Sequence, residues 1–395
     1  VSLFLSPSGT LDIEFAFISL CGFRPILNSA ALEDCQVAVV QHEAQAIELR
    51  YTAPALVGGA FGLEARGPDK DGRIWLRYWV ESFPDEMPLH DFGIRFDEVQ
   101  NLCAYLRHGY FSWDGSFYVQ PGAVGDFEEQ DTHPEISYGM TQLLPCQGTG
   151  SLIVGFGRHD RFQQTFVFDT RRSPPSLTAL TVWDQKDRAS PTTCESEQLV
   201  IFEHPEVEEA LREWARIVVA SMPKWPGFQV KGRTPITGWC SWYSLYAYIT
   251  EENILDHLRG AAEVAKRENL PMRVFQIDDG FSPEMGDWLE VKPQFPRGMK
   301  PLLDDIRAAG FVPGLWIAPF MVGNRSHLYR DHPDWVVRDR LTGGPLAQMK
   351  LYGEFRWHKR SEEYYILDTT HPQAFGYLRH VFRIWRREWG CEYFK

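Results

Sequence analysis

No two cysteines of this chain stand in a C-x-x-C spacing, and no stretch is apolar enough to span a bilayer. The seven cysteines (Cys21, Cys35, Cys103, Cys146, Cys194, Cys240 and Cys391) are odd in number and widely scattered. Such a set indicates neither a disulfide framework nor a zinc site, and it points to a reducing, cytoplasmic setting. The apolar-looking stretch from Phe15 to Leu27 is broken by Ser19, Gly22 and Arg24. It is too short and too polar for a membrane span, and it does not read as a secretory signal. Positive charge is scarce as well: 40 Lys and Arg against 53 Asp and Glu leave a net charge of −13. That balance argues against a protein whose affinity comes from neutralising phosphates, so neither nucleic acid nor a membrane is expected as a partner. Internal repeats and low-complexity tracts are missing. What is present, 44% apolar and 24% charged residues over 395 positions, is the composition of a folded protein of two or three domains.

Aromatic residues are abundant, with 26 Phe, 15 Tyr and 14 Trp. Most of them must be core. Aromatic faces beside paired carboxylates are also what sugar-binding sites use, because C–H faces stack on rings while hydroxyls seek charged acceptors. Position along the chain has to separate the two uses.

The first two hundred residues read as β-structure. In Ile47–Thr52 and Ile74–Glu81 alternate positions are apolar, and shorter runs follow at Ser151–Gly155, Thr165–Phe168 and Gln198–Phe202. Turns such as Gly67-Pro68-Asp69 and Ser173-Pro174-Pro175 separate them, which favours a large sandwich. From Pro205 the period changes: Leu211, Trp214, Ala215, Val218 and Met222 predict a helix over Glu206–Ser221. A stretch with Pro223, Pro226, Gly227, Gly232 and Pro235 then marks a domain boundary.

Beyond it strand and helix alternate. Ile236–Trp242 is a short apolar run, and Thr250 caps a helix whose apolar face is Ile254, Leu255, Leu258, Ala262 and Ala265. Met272–Ile277 is a buried strand ending in Asp278-Asp279-Gly280, Met299–Ala309 is a helix closed by Gly310, and Val312–Phe320 is a third strand. After a long loop, Phe375, Leu378, Phe382, Trp385 and Trp389 mark another helix, and a fourth strand begins at Glu392. Four strand–helix units argue for a parallel sheet with right-handed crossovers. An open doubly wound sheet would usually carry a glycine-rich phosphate turn after its first strand, where Gly238-Trp239-Cys240-Ser241-Trp242 stands instead. A (β/α) barrel is preferred, since it gathers chemistry at the carboxyl ends of its strands and the polar and aromatic residues sit there. About half a barrel is present, and the chain reads as cut at both ends.

The strand ends bring forward Trp239 and Trp242, Asp278 and Asp279, Trp316, and Lys395. Asp-Asp-Gly is also a good turn, but with indoles and a lysine at neighbouring strand ends the carboxylates suit a sugar: they accept from vicinal hydroxyls while an indole covers the apolar face. Other candidates read as structural. Asp368 lies just before a helix and is expected to cap it. Cys240 is expected to be a buried core thiol. Glu206, Glu208 and Glu209 form a solvated helix start, and His327, His332 and His371 lack a ligand spacing, so no metal and no cofactor are expected.

The series Gly238–Tyr243, Phe275–Phe281, Gly286-Asp287-Trp288, Phe295–Lys300, Gly314–Phe320 and His332-Pro333-Asp334-Trp335 resembles the family 36 glycoside hydrolases, the α-galactosidase family, in family order. Upstream, His108–Trp113 is similar to that family's Gly-aromatic-x-Ser-Trp signature. The resemblance implies a multidomain β plus α/β fold. It would consist of a β-supersandwich over 1–205, a linker helix and connecting segment over 206–235, and the first four strands of a (β/α)8 TIM barrel over 236–395.

It further implies that Asp278 and Asp279 bind galactose at O4 and O6, and that Trp316 lines the pocket. Lys395 would belong to a Lys-x-Asp motif, Trp113 would reach the barrel mouth from the sandwich, and Trp242 would be a further pocket residue. The family nucleophile would fall two positions after Lys395 and the acid/base Asp later still. No catalytic residue is therefore assigned within the chain, and the 395 residues alone are expected to be inactive. On this reading the parent is a retaining α-galactosidase acting on α-galactoside oligosaccharides, and it could be a homo-oligomer. A galactosyltransferase of the raffinose or stachyose synthase kind, or a non-catalytic galactoside-binding protein, are the alternatives.

Overall fold

A computed structural model describes residues 1–6, 9–84, 88–110, 115–122, 133–183, 193–223, 235–339, 342–349 and 361–395. The chain divides into two compact units, Val1–Phe228 and Gln229–Lys395. No helix among the described residues is long and apolar enough to cross a membrane.

The first unit is built from two antiparallel sheets. One has eight strands, with Ser19–Leu27 and Asp91–Gln100 near its centre, and the other ten, running from Phe117–Val119 at one edge to Gln36–Glu43 at the other. The strand Ile74–Glu81 shows why they pack. Ile74, Leu76, Tyr78 and Val80 are buried, while the residues between them, Trp75, Arg77 and Trp79, are only half-buried. That period-2 alternation gives the strand one face for the core. Leu20, Leu49, Leu63, Phe92, Phe96, Phe156 and Phe166 join the same core cluster. Burying a side chain of this size stabilises the fold by about 1.5–3 kcal/mol.

The helix Val207–Ser221 belongs to this unit, and its stripe differs from the expected one. Ala210 and Ile217 are buried, with Leu211 and Trp214 packed beside them against Leu106, Met140, Ile153, Val200 and Phe202. Ala215 is exposed. The run Ile217-Val218-Val219 offers three apolar neighbours, so spacing alone fits two stripes, and the sheet selects the one through Ile217. On the outer face Arg212 pairs with Glu208 and Glu209, and Arg216 with Glu209 and Glu213.

In the second unit four parallel strands lie side by side in chain order: Gly238–Cys240, Val274–Ile277, Val312–Leu315 and Tyr393–Phe394. Helices Glu251–Arg267, Met299–Ala308 and Pro372–Ile384 connect them. Thr250 caps the first helix by a reciprocal box: its Oγ1 accepts from the Asn253 N–H at 3.1 Å, and the Thr250 N–H donates to Asn253 Oδ1 at 2.8 Å. Thr250→Ala should lower stability by about 1 kcal/mol, read as a reduced denaturant midpoint at unchanged slope.

Three features were not anticipated. The first strand is Gly238–Cys240 alone, because the chain turns into a short helix, Trp242–Leu245. The long loop carries its own antiparallel sheet of Met321–Gly323, Tyr364–Ile366 and Ala347–Met349. Asp368 caps a turn rather than the helix: its Oδ1 accepts from the N–H and the hydroxyl of Thr370, while His371 is the residue before the helix at Pro372. Proline at the first helical position fixes the start, so no side-chain cap is needed there.

Candidate active site

Strand alternation decides what faces what. Trp239, Phe275, Ile277, Leu315 and Phe394 project to the helix-covered side: Trp239 stacks on Phe275 at 4.3 Å, and Phe394 lies parallel to Trp385 at 6.4 Å. Trp239 is therefore core rather than mouth. The register mates Cys240, Gln276, Gly314 and Tyr393 form the row on the opposite face. Glycine is required in that row, since a Cβ at Gly314 would sit 2.9 Å from the Tyr393 ring and 3.3 Å from Gln276. Two residues further along the second, third and fourth strands, the same face receives Asp278, Trp316 and Lys395.

The centre of this group is the Asp278 carboxylate, which is 3% exposed. Its Oδ2 accepts from Lys395 Nζ at 2.7 Å, from Gln276 Nε2 at 2.7 Å and from the Cys240 thiol at 3.3 Å. Its Oδ1 accepts from the Asp279 N–H at 2.9 Å, and the Asp278 N–H donates to Ser241 Oγ at 2.8 Å. One carboxylate thus joins side chains from the first, second and fourth strands. Among the described residues Oδ1 accepts from the Asp279 N–H alone. Lys395 likewise spends one of three N–H donors on Asp278, and its ammonium lies 5.7 Å from the Tyr243 ring centre.

Burial works against the charge of Lys395, but the hydrogen bond and the negative charge of Asp278 outweigh it and raise its pKa above the ordinary lysine value. Burial and then the neighbouring Asp278 carboxylate push the Cys240 thiol up to about 11, so at neutral pH it is a donor and not a thiolate.

The remaining expected residues fall as follows. Asp279 is 1% exposed and follows directly on Asp278. Trp316 is half-buried, its N–H bonded to the Ile277 carbonyl at 3.0 Å and its ring set edge-on to Trp288 at 6.1 Å. Trp242 opens the short helix, with its ring edge-on to Tyr246 at 5.5 Å. Trp113 lies outside the described residues. Cys240, expected to be a core thiol, instead faces Asp278, and Ser241, Gln276 and Tyr243 were not singled out at all. Gln276 was legible: it stands two residues before Asp278 in one strand and so shares its face.

Asp287, Glu290 and His327 also come together, with ligand atoms within 4.8 Å of one another. Their bonds serve a helix start. Asp287 accepts from the N–H groups of His327 and Leu328 at 2.9 and 3.0 Å, and His327 Nδ1 lies 2.6 Å from Glu290 Oε1. That contact raises the His327 pKa above its ordinary value.

An antiparallel β-sandwich unit is thus followed along the chain by a unit of parallel β/α repeats with hydrogen-bonding and aromatic groups at the strand ends. Residues 232–395 match the Melibiase family model. Among curated relatives, the α-galactosidase AgaA of Geobacillus stearothermophilus is 34% identical over 104 residues, which is 25% of this chain and 13% of that protein. An α-galactosidase of Escherichia coli is 27% identical over 130 residues, 31% of this chain and 16% of that protein. Of solved structures, an α-galactosidase from Thermus thermophilus in complex with stachyose superposes with a TM-score of 0.59 at 26% identity, covering 86% of this chain and 65% of its own. Residues 232–395 therefore carry a Melibiase domain similar to the α-galactosidases of glycoside hydrolase family 36, and the fold of the chain is that of a β-supersandwich followed by the first half of a (β/α)8 barrel. The chain spans less than two thirds of the length of these relatives.

Proposed function

We propose that the protein containing this chain is a retaining α-galactosidase that removes terminal α-linked galactose from oligosaccharides, and that residues 236–395 supply its galactose recognition. The observation that carries this reading is the junction at Asp278, where an acceptor oxygen and a lysine with two spare donors stand side by side at the strand ends. A pyranose presents vicinal hydroxyls, each able to donate and accept, and such a pair matches them in both senses. Asp278 and Asp279 take the hydroxyls at O4 and O6, Lys395 donates to the same ring, and Trp316 and Trp242 offer apolar faces. Asp278 is held by Lys395, Gln276, Cys240 and the Asp279 N–H, which suits a fixed acceptor and not a nucleophile that must approach a carbon. Retaining hydrolysis needs a nucleophilic carboxylate and an acid/base carboxylate besides, and the family resemblance assigns both to positions that follow Lys395.

Stachyose in the Thermus thermophilus structure and raffinose in one of the Geobacillus stearothermophilus structures support oligosaccharides as the substrate class. We assign the protein to the cytoplasm, on the ground that its seven cysteines are odd in number, widely scattered and without a C-x-x-C pair. The test is turnover of an aryl α-galactoside and an aryl α-glucoside by the whole protein, with the anomeric form of the released sugar followed by proton NMR. Galactose released first as the α-anomer, with the glucoside turned over at least about a hundredfold more slowly, is expected. Equal turnover of both sugars, β-galactose as first product, or transfer to an added sugar acceptor in place of hydrolysis would each overturn the reading.

A further inference from the structure

The sequence gives no reason to pair any of the seven cysteines, yet the fold brings two of them together on the surface of the first unit. The strand Leu102–Arg107 pairs antiparallel with Met140–Pro145, and the register slips between Leu102↔Pro145 and Ala104↔Leu144, leaving Cys103 as the extra residue of a β-bulge. Its neighbours Leu102 and Ala104 are buried, while Cys103 itself is exposed. Cys146 lies just beyond the end of the partner strand. Its N–H donates to the Asn101 carbonyl at 2.9 Å, so it continues the ladder opposite Asn101. Cys103, two residues from Asn101 along the strand, is its diagonal neighbour on the same face.

The Cys103 thiol is near enough to Cys146 to raise its pKa. Backbone and side-chain bonds fix the corner they occupy: Asn101 Nδ2 donates to the carbonyls of Phe17 and Gln147 at 2.7 and 2.8 Å, and the Gln147 N–H returns a bond to Asn101 Oδ1 at 3.1 Å. The other thiols are differently placed. Cys194 and Cys391 are buried, Cys35 donates to the Leu32 carbonyl, Cys240 faces Asp278, and Cys21 is half-buried near the carboxylates of Asp12, Glu98 and Glu14.

We propose that Cys103 and Cys146 form a paired-thiol site that undergoes exchange with low-molecular-weight disulfides and closes to an intramolecular disulfide. One cysteine, as thiolate, attacks a sulfur of oxidised glutathione. A mixed disulfide forms and one glutathione thiolate leaves, taking up the proton that the cysteine gave to solvent. The second cysteine, deprotonated in turn, attacks the protein sulfur of that mixed disulfide, and the second glutathione leaves. Two protein thiols are oxidised and one small disulfide is reduced to two thiols, so atoms and electrons balance. The bond would close a covalent ring around residues 104–145, which carry the His108–Trp113 signature. Burial, followed by the adjacent Cys103, holds the Cys146 thiol above its ordinary pKa, and the exchange therefore accelerates as pH rises.

The full chain is equilibrated with oxidised glutathione under native conditions, alkylated in denaturant, and digested with trypsin. Cys103 and Cys146 are the sole cysteines of the tryptic peptides 96–107 and 108–158. The expected result is loss of two of the seven alkylatable thiols, with these two peptides joined and separated again by dithiothreitol. In Cys103→Ser or Cys146→Ser the joined pair disappears and the remaining cysteine carries one glutathione, whereas Cys35→Ser leaves the pair intact. Alkylation of all seven thiols after equilibration, separate glutathione adducts on both cysteines of the unmodified chain, or another cysteine pair as the main cross-link would overturn the proposal.

Discussion

Asp278→Asn in the whole protein should lower kcat/KM for an aryl α-galactoside by roughly tenfold to a few hundredfold, because charge-assisted hydrogen bonds are worth about 1.5–3 kcal/mol. The upper end is expected, for a reason visible in the donor pattern. Three donors converge on Oδ2 and a backbone N–H on Oδ1. An amide can place its oxygen on only one side. With oxygen at the Oδ2 position its NH2 meets the Asp279 N–H, and turned about it meets Lys395 and Gln276. Either orientation sets donor against donor, and the ammonium loses its counter-charge. Asp279→Asn should act in the same direction. Steady-state kinetics on a protein with unchanged melting would check both, and kinetics within a factor of about two of the parent in both variants would remove these carboxylates from recognition.

Trp385→Ala should destabilise the second unit by about 3–5 kcal/mol, the usual range for emptying an aromatic site in a core. Trp385 is 0% exposed, stacks on Trp389 and Phe394, meets Phe281 edge-on, and donates its Nε1–H to the Trp288 carbonyl at 3.0 Å. The melting midpoint should fall by roughly 6–20 °C. Because Phe394 precedes Lys395, a cavity behind the fourth strand also loosens the lysine that contacts Asp278. Trp389→Ala, at a half-buried position, should cost visibly less. Equal effects at the two tryptophans would mean that the stack, not the buried site, carries the stability.

The sequence was most legible where one periodicity dominates. Ile74–Glu81 alternates without a break and is a strand over those residues, and Thr250 followed by Glu251 and Glu252 announces a helix start that forms as expected. Asp278-Asp279 at the end of a buried apolar run was visible for the same reason. Legibility failed where partners come from elsewhere in the chain. Cys240 looked like a core thiol because it stands between two Trp residues with no His near it in sequence, and only strand pairing brings Asp278 to 3.3 Å from its sulfur. Tyr243 gave no local signal of its approach to Lys395 across about 150 residues of chain. The small sheet at Met321–Gly323 and Tyr364–Ile366 escaped notice because its strands are three residues long, below the length at which alternation can be counted.

The junction at Asp278 also acts as a check on assembly. Lys395 reaches the carboxylate only if Tyr393–Phe394 pairs with Val312–Leu315 in the observed register, and Gln276 only if its own strand presents its even-numbered residues to the same face. A slip of one residue in any of these strands exchanges the two faces. It would send the ammonium into the helix layer and bring Phe394 to the face that carries Asp278. Chains with mispaired strands would therefore lack the proposed galactose site altogether rather than carry a weakened one, so on that proposal the fraction of a preparation able to bind the sugar counts the molecules whose strands are correctly aligned.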